Sequence, residues 1–433
     1  MAGKEKSGNV FASKNFRLVF LGALVSELGA LLYSFAVSFY ILDISGNNAF
    51  LQGLYLALCG VALLIFTPIG GVLGDRYNKA KIMFLCDYMK GGMIIMATIL
   101  MLLFRKPNAQ IVILFCLGII GNAVSGIFNP AAGALFPHIV DEDKLQQANA
   151  YFSIKSSLEG ILGIILAGIL YAALPIHTLF FLVGFCFVAS GVSEMFIRYE
   201  HHPSEETLTL KLAVRDMADG IRYLRSKKAI LALIGSALFI NFFFTPVTGN
   251  FVPYFVKTDL AEAPSYLFSK VLTPELWSSV FSVCIGISSL LGAAILSARP
   301  QEEKSGFKTA IRLCMLAGVV ILATVSYWLF VDRGISMNAF LIAFCVGCLL
   351  TGFLVSFVNI PINTAVMRIV DRDKLSKVSS IISIGSQGMT PIASVLAGAI
   401  LGTLGSTALL AACALGFTAT AVLTLFSRSI REL

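Results

Sequence analysis

The sequence has little charge, few histidines and no nucleotide-binding loop. Only 13% of its 433 residues are Asp, Glu, Lys or Arg, whereas soluble domains contain roughly 25%. The 4 histidines show no metal-ligand spacing with acids or cysteines, and neither a Walker loop nor a serine-centred glycine turn occurs. These absences argue against a metalloenzyme, a serine hydrolase and a nucleotide-driven pump. We therefore expect no catalytic residues, no cofactor and no metal site.

Apolar sequence, in contrast, is abundant. Hydrophobic residues make up 57% of the chain, and the mean hydropathy is +0.87. A membrane-spanning helix needs about 20 mostly apolar residues. Suitable stretches lie near residues 16–42, 50–73, 82–104, 110–135, 149–173, 178–197, 229–253, 274–297, 309–331, 337–360, 378–401 and 406–426. The sequence therefore predicts an all-α protein with twelve spans in the plasma (inner) membrane lipid bilayer.

The basic residues predict the orientation, because cytoplasmic loops of membrane proteins hold an excess of Lys and Arg. If the N-terminus is cytoplasmic, most of the 32 basic residues fall on the cytoplasmic side. The outer side then holds Arg105, Lys106, Lys257, Lys270 and Arg333. We expect both termini in the cytoplasm, and the net charge of +8 needs no nucleic-acid partner to explain it.

The chain contains an internal repeat. Residues 139–145 read IVDEDKL and residues 369–375 read IVDRDKL, at an offset of 230, and Asn129 matches Asn359 at the same offset. We therefore expect two pseudo-symmetric six-helix bundles joined by a cytoplasmic linker that carries an amphipathic helix. The expected domains are residues 1–197, the linker 198–228 and residues 229–433. Two such bundles can rock about a binding site at the bilayer midplane, which is how secondary transporters alternate access.

A densely charged turn follows the second span, where residues 70–81 read GGVLGDRYNKAK. This turn resembles motif A of the major facilitator superfamily. Gly71, Asp75 and Arg76 match the motif, and Lys79 supplies the next basic position. Ala80 interrupts the second basic position, for which Lys81 stands in. Asn78 stands where the motif has a later glycine, and asparagine is among the residues that tolerate a positive φ. Gly70 and Gly74 are expected to let two helices approach closely.

The resemblance implies the major facilitator fold and a gating role for this turn. Asp75 is expected beside the inner end of the eleventh span, a helix N-terminus that favours an anion. Asp87 and Lys90, in the third span, are expected to join this charge network. Glu194, near the inner end of the sixth span, is expected to be solvated or paired with Arg198.

Three other segments resemble the drug-efflux members of the superfamily that are related to macrolide exporters. They read KNFRLVFLGALVSELGALLYSFAVSFYIL, LFPHIVDEDKLQQANA and GMTPIASVLAGAILGTLG. This resemblance implies a transporter that exports small molecules.

Ionisable residues inside spans are the default functional candidates, because each costs roughly 2.5 to 3.5 kcal/mol at a helix centre. Glu27 lies near the middle of the first span, and Ser34 follows two turns later on the same face. No basic residue lies near it along that face. A proton and a cationic substrate can therefore compete for this acid, and the alternative is a structural hydrogen bond to another helix.

Lys155 and Glu159 are four residues apart in the fifth span and can pair on one face. This pair either stays neutralised or opens during transport so that Glu159 meets substrate. Further candidates for a central cavity are Asn129, Asn241, Thr245, Asn250, Asn359, Asn363 and Gln387. Pro246 and Gly249 predict a kink or an unwound stretch in the seventh span.

Together these features predict a monomeric secondary active transporter. It would export amphipathic, cationic small molecules by alternating access, coupled to proton influx. The alternative is an exporter or flippase of siderophores or lysophospholipids on the same fold. An unpaired Glu27 favours cations, whereas a free Lys155 favours anionic head groups.

Overall fold

The computed structural model describes residues 10–140, 144–198, 222, 228–297, 306–369 and 387–427. Within these ranges the chain is helical and contains no β-strand. Apolar helices satisfy their backbone hydrogen bonds internally, which is the condition for crossing the hydrocarbon layer.

Among the described residues, six helices precede the long polar segment. After a short 3₁₀ turn at Val10–Ala12, they are α1 (Lys14–Ser45), α2 (Ala49–Arg76), α3 (Lys79–Leu103), α4 (Pro107–Ile139), α5 and α6 (Ile176–Met195). Helix α5 is continuous but contains a π-helical turn: it comprises Leu145–Leu158, the π turn Glu159–Gly163 and Ile164–Ala173.

In the described ranges that follow the polar segment there are again six helices. Helix α7 comprises Lys228–Thr245, a π segment at Pro246–Phe251, Val252–Phe255 and a second π segment at Val256–Leu260. The next three are α8 (Pro274–Ser297), α9 (Gly306–Arg333) and α10 (Met337–Ile369). The stretch Thr390–Phe426 contains α11 and α12, which meet at Gly405. Gly405 has φ 82° and ψ 177°, a conformation that glycine adopts without a steric penalty.

The predicted fold class is confirmed, because helices occupy all twelve predicted segments. Among the described residues, 10 helices are long and apolar enough to cross a membrane; α11 and α12 count there as one, and α7 is not included. Helix α7 extends to Leu260, beyond the predicted end at residue 253. Of the predicted eleventh span, residues 378–386 lie outside the described part of the chain.

The internal repeat is visible in the helix boundaries. Helices α4 and α10 each contain 33 residues, and both their first and their last residues differ by the offset of 230 found in the sequence. Of the repeated segments 139–145 and 369–375, residues 141–143 and 370–375 lie outside the described ranges. So does the predicted amphipathic helix of the linker, apart from Arg222.

The chain divides into two compact units. The first comprises Met1–Tyr40 and Leu58–Ala213, and the second comprises Ile41–Ala57 and Val214–Leu433. The C-terminal end of α1 and the start of α2 therefore belong to the second unit. They pack there through small residues: a Cβ on Gly53 would lie 3.1 Å from the Cα atom of Gly398 in α11. The domain boundaries expected from the sequence remain a prediction.

Glycines also bring helices together in the first unit. A Cβ on Gly70 would lie 2.6 Å from the Cα atom of Ile127, so α2 and α4 touch through their backbones there. At Gly74 the corresponding distance to Ala131 is 3.6 Å, an ordinary contact, and the space beside Gly71 is open. The close approach expected in this turn is therefore made by Gly70.

Candidate functional site

Three charged side chains form a cluster between α1 and α5 in the first unit. The ammonium of Lys155 lies 2.7 Å from Oε2 of Glu27 and 3.2 Å from Oε2 of Glu159. Lys155 therefore links two carboxylates that belong to different helices. With all three groups charged, the cluster carries one net negative charge.

The members of this cluster differ in accessibility. The side chains of Lys155 and Glu159 are 1% and 5% exposed, whereas that of Glu27 is 53% exposed. Charged side chains inside membrane spans face a bundle interior or a water-filled cavity. Glu27 is therefore the member that a ligand can reach, and Lys155 is the buried counter-charge behind it.

The local structure of α5 explains why the three groups meet. Glu159 is the first residue of the π turn and Gly163 is the last. A Cβ on Gly163 would lie 2.9 Å from Cδ1 of Leu31 and 3.1 Å from Cδ2 of Leu28 on α1, so the helices come close beside Glu27. The ring of Phe152 lies 5.5 Å from the ammonium of Lys155 and covers it. Single π turns are frequent at functional sites, because they shift side chains relative to a regular helix.

The cluster contains more than the sequence indicated. Lys155 and Glu159 are paired, as their spacing allows. Glu27 joins them, so the acid for which no basic neighbour was found along α1 has one on α5. Ser34 is exposed on the same helix as Glu27.

The polar cavity candidates are dispersed. Asn129 and Asn359 are exposed at repeat-related positions of α4 and α10, and Gln387 is also exposed. Asn250 is 0% exposed, and its side-chain amide donates a hydrogen bond of 3.4 Å to the carbonyl of Ser394. Asn250 therefore holds α7 against α11 inside the second unit.

The remaining candidates are Asn241, Thr245 and Asn363. Asn241 and Thr245 are half-buried on α7, and the side chain of Asn363 lies outside the described part of the structure. Pro246 does not unwind α7: it begins a π segment, and the carbonyl of Gly249 within that segment accepts a 3.5 Å hydrogen bond from Gln52.

The conformation of the charged turn after α2 differs from the one that the resemblance to motif A implied. Asn78 has φ −60°, not a positive φ, and its side chain accepts a 3.2 Å hydrogen bond from the backbone N–H of Lys81. Asparagine replaces glycine here because it caps the N-terminus of α3. Arg76 and Lys81 are exposed and Lys79 is buried. The side chain of Asp75 and the inner end of the eleventh span lie outside the described structure.

Two acids of the first unit are buried completely. Asp87 and Glu194 are both 0% exposed. The expectation that Glu194 is solvated or paired with Arg198 is wrong: its carboxylate oxygens are buried and have no hydrogen-bond partner in the described structure. Glu194 instead lies close enough to Asp87 and Lys90 to interact electrostatically.

A third cluster lies in the second unit, at the end of α1. The ammonium of Lys257 lies 2.7 Å from Oδ1 of Asp43 and 2.8 Å from Oε1 of Glu275. Nearby, the hydroxyl of Tyr327 donates a 3.1 Å hydrogen bond to Asp259. Sequence reasoning placed Lys257 on the outer side but did not find its partners, because they come from α1 and α8.

The second unit also contains a partly open apolar cavity of about 60 Å³, lined by residues that include Phe244, Thr248, Ser282, Phe344 and Thr351. Pockets for drug-sized ligands measure roughly 300–1,000 Å³. This cavity therefore does not hold such a compound in the present conformation. Among the described residues, no group of three or more His, Cys, Asp or Glu side chains could hold a metal ion.

Within the described ranges, apolar helices, the internal repeat and charged side chains inside the spans indicate a multi-pass membrane transporter. The chain belongs to the Major Facilitator Superfamily, whose family model matches residues 19–331.

Several relatives agree with this assignment. An uncharacterized transporter of this superfamily from Bacillus subtilis, YkuC, is 24% identical over 78% of this chain and 76% of its own length. Macrolide efflux protein A from Streptococcus pyogenes is 23% identical over 54% of this chain, and the match spans just over half of that protein, 57%. The enterobactin exporter EntS from Salmonella choleraesuis is 29% identical over 36% of this chain and 37% of its own length.

Solved structures share the fold. A bacterial homologue of the iron transporter ferroportin superposes with a TM-score of 0.71 at 16% identity, covering 95% of this chain and 99% of that one. The nucleoside transporter NupG superposes with a TM-score of 0.71 at 12% identity, covering 95% and 100% of the two chains. At these identities the likeness extends to the fold alone.

Proposed function

We propose that this transporter exports amphipathic, cationic small molecules in exchange for protons, and that the cluster of Glu27, Lys155 and Glu159 couples the two. The observation that supports this is the charge balance: one ammonium faces two carboxylates, and the excess negative charge lies on the side of the exposed Glu27. The efflux proteins among the relatives support export as the direction.

The coupling follows from competition for one charge. A cationic substrate beside Glu27 compensates the excess negative charge of the cluster, and a proton on Glu27 or Glu159 does the same. Both cannot bind with full affinity, because the second would leave the cluster with a net positive charge in a low-dielectric environment. Proton entry from one side therefore displaces substrate, and alternating access converts the displacement into exchange.

The alternative substrate class is anionic: a siderophore or a lysophospholipid head group. The partial similarity to an enterobactin exporter favours it. The charge arrangement opposes it, because Lys155 is 1% exposed and already contacts two carboxylates. An anion would have to displace one of them before it could reach the ammonium.

Inverted vesicles with an imposed proton gradient test this proposal. The panel consists of a lipophilic cation, a neutral macrolide and an anionic lysophospholipid, and the variants are Glu27→Gln, Glu27→Asp and, as a control, Glu262→Gln. Glu262 is an exposed acid outside the cluster. We expect the cation alone to dissipate the gradient, with a rate about tenfold lower in Glu27→Gln, equivalent to roughly 1.4 kcal/mol. If normal protein and Glu27→Gln transport the neutral or anionic compound equally well, the proposed cation–proton exchange is contradicted. The siderophore or lysophospholipid exporter is then favoured.

We further propose that the turn after α2 gates the cytoplasmic side, with both termini in the cytoplasm as the basic residues predict. Asp75→Asn should then slow turnover while substrate affinity stays nearly unchanged, because the resemblance to motif A assigns this carboxylate to gating and not to substrate binding. The measurement is a comparison of substrate binding with transport rate at matched expression. Unchanged turnover would show that the turn serves topology alone.

A further inference from the structure

A second set of two acids and one lysine lies where α3 packs against α6. A Cβ on Gly91 would lie 2.8 Å from the carbonyl oxygen of Gly184, and one on Gly191 would lie 3.3 Å from that of Phe84. These glycines bring the two helices close together. Asp87 lies on α3 within this contact, and Glu194 follows Gly191 by less than one turn of α6.

The oxygens of the two carboxylates accept no hydrogen bond of good geometry in the described part of the chain. Both side chains are 0% exposed. The hydroxyl of Ser190 lies beside Asp87, but it donates its 2.9 Å hydrogen bond to the carbonyl of Gly22. In the Glu27 cluster, by contrast, the lysine contacts both acids directly.

The lysine of this second set is held by aromatic rings. The ammonium of Lys90 lies 4.9 Å from the centroid of Phe128 on α4 and 5.4 Å from that of Phe187 on α6. Such cation–π contacts stabilise a desolvated ammonium. Lys90 thus supplies one positive charge near the two acids, but it donates no hydrogen bond to their oxygens.

Charge balance limits the protonation state of this set. Two ionised carboxylates and one ammonium would leave a net negative charge and four acceptor oxygens without donors in a closed interior, which is strongly unfavourable. A proton bound to one carboxyl removes the excess charge and also supplies an O–H donor. Of the groups beside the two acids, α3 contributes Lys90 and the thiol of Cys86, and α6 contributes the hydroxyl of Ser190. Helix α1 contributes the backbone of Gly22, on which a Cβ would lie 3.3 Å from Cγ of Glu194.

We propose that Asp87 and Glu194 form a proton-binding site that holds one proton at neutral pH, with Lys90 as its fixed counter-charge. The site is distinct from the Glu27 cluster and does not depend on the substrate. Because the α3–α6 contact is closed, the proton exchanges with water only when these helices loosen. The rate at which this proton exchanges therefore depends on the conformation of the first unit.

Infrared spectroscopy of the full chain in lipid vesicles distinguishes a neutral carboxylic acid from a carboxylate. At pH 7 we expect an absorption band of a neutral carboxylic acid, with the intensity of one carboxyl group. This band should disappear in Glu194→Gln and also in Asp87→Asn. In each variant the remaining acid balances Lys90 and gives up the proton. Lys90→Gln should have the opposite effect and double the band, because both acids then need a proton. Glu262→Gln, an exposed control, should leave it unchanged.

Three outcomes would overturn this proposal: absence of the band at pH 7, a band that survives both acid substitutions, or no increase in Lys90→Gln. A band that disappears in Glu159→Gln but persists in Glu194→Gln belongs to the Glu27 cluster and also counts against it. Proton-coupled export is tested separately, because loss of gradient-driven transport with an intact Asp87–Glu194 band contradicts the proposed function alone. The Lys90 variant keeps the test decisive if an acid substitution impairs folding.

Discussion

The first unit contains two clusters with the same formal charges and opposite arrangements. In one, Lys155 contacts Glu27 and Glu159 directly, and one acid is exposed. In the other, Lys90 lies against aromatic rings, and the carboxylate oxygens of Asp87 and Glu194 are buried without a hydrogen-bond partner among the described residues. The first arrangement leaves a charged group that a ligand can reach, whereas the second keeps its two acids out of a ligand's reach, where we propose that they hold a proton. Composition alone therefore does not assign a role to a charged residue in a membrane span.

The largest effect that this comparison predicts is for Lys155→Gln. Removing the ammonium leaves two carboxylates facing each other, and breaking a buried ion pair in this way costs about 3–5 kcal/mol. We expect the free energy of unfolding to fall by this amount, measured by denaturant titration in detergent micelles, and we expect transport to be lost.

The matched control for this variant is Lys270→Gln, at an exposed position outside every cluster. Adding Glu159→Gln to Lys155→Gln should recover part of the stability, because it removes one of the two repelling charges. If the double variant is as unstable as the single one, Lys155 acts through packing against Phe152 and not through its charge.

An intermediate change in the free energy of unfolding is expected for Glu159→Gln, and a smaller one for Glu194→Gln. Glu159 makes charge-assisted hydrogen bonds of 3.3 and 3.2 Å with Lys155, and such bonds contribute about 1.5–3 kcal/mol. Glu194 makes no hydrogen bond in the described structure. Glu159→Gln should therefore destabilise the protein by this amount, whereas Glu194→Gln should change the free energy of unfolding by less than about 1 kcal/mol.

Thermal unfolding of the two variants under identical conditions tests the difference. Equal destabilisation would mean that Glu194 has a partner in the membrane-embedded protein, and the contrast between the two clusters would then be lost.

The sequence predicted the helices better than it predicted the contacts between charges. Hydropathy located the spans, and the 230-residue repeat anticipated the matching ends of α4 and α10. Along one helix, charges reveal their partners only at spacings of three or four residues, which is why Lys155 and Glu159 were found as a pair. Glu27 and Asp43 have ion-pair partners on other helices, and the charged neighbours of Glu194 lie on α3. No local pattern records which helices become neighbours.

The turn after α2 shows a second limit. Asn78 was read as a substitute for a left-handed glycine, yet its φ is −60° and its side chain caps α3. Both roles suit asparagine between two helices, and the sequence does not distinguish them. The choice depends on where α3 begins, and helix ends are the least certain part of a sequence-based assignment.

The smallest effect is expected for the cluster of Asp43, Lys257 and Glu275 in the second unit, whose lysine is more accessible than Lys155. Its side chains are 38%, 11% and 17% exposed, so salt screens their attraction more than it screens the Lys155 pairs. Lys257→Gln should lower the free energy of unfolding by about 1 kcal/mol at low salt, near the upper end for accessible ion pairs, and by less at high salt. Lys155→Gln should show no such salt dependence. If the stability lost in Lys257→Gln is the same at low and high salt, this third cluster behaves like the buried ones. The exposure of the side chains would then not explain the difference between the clusters.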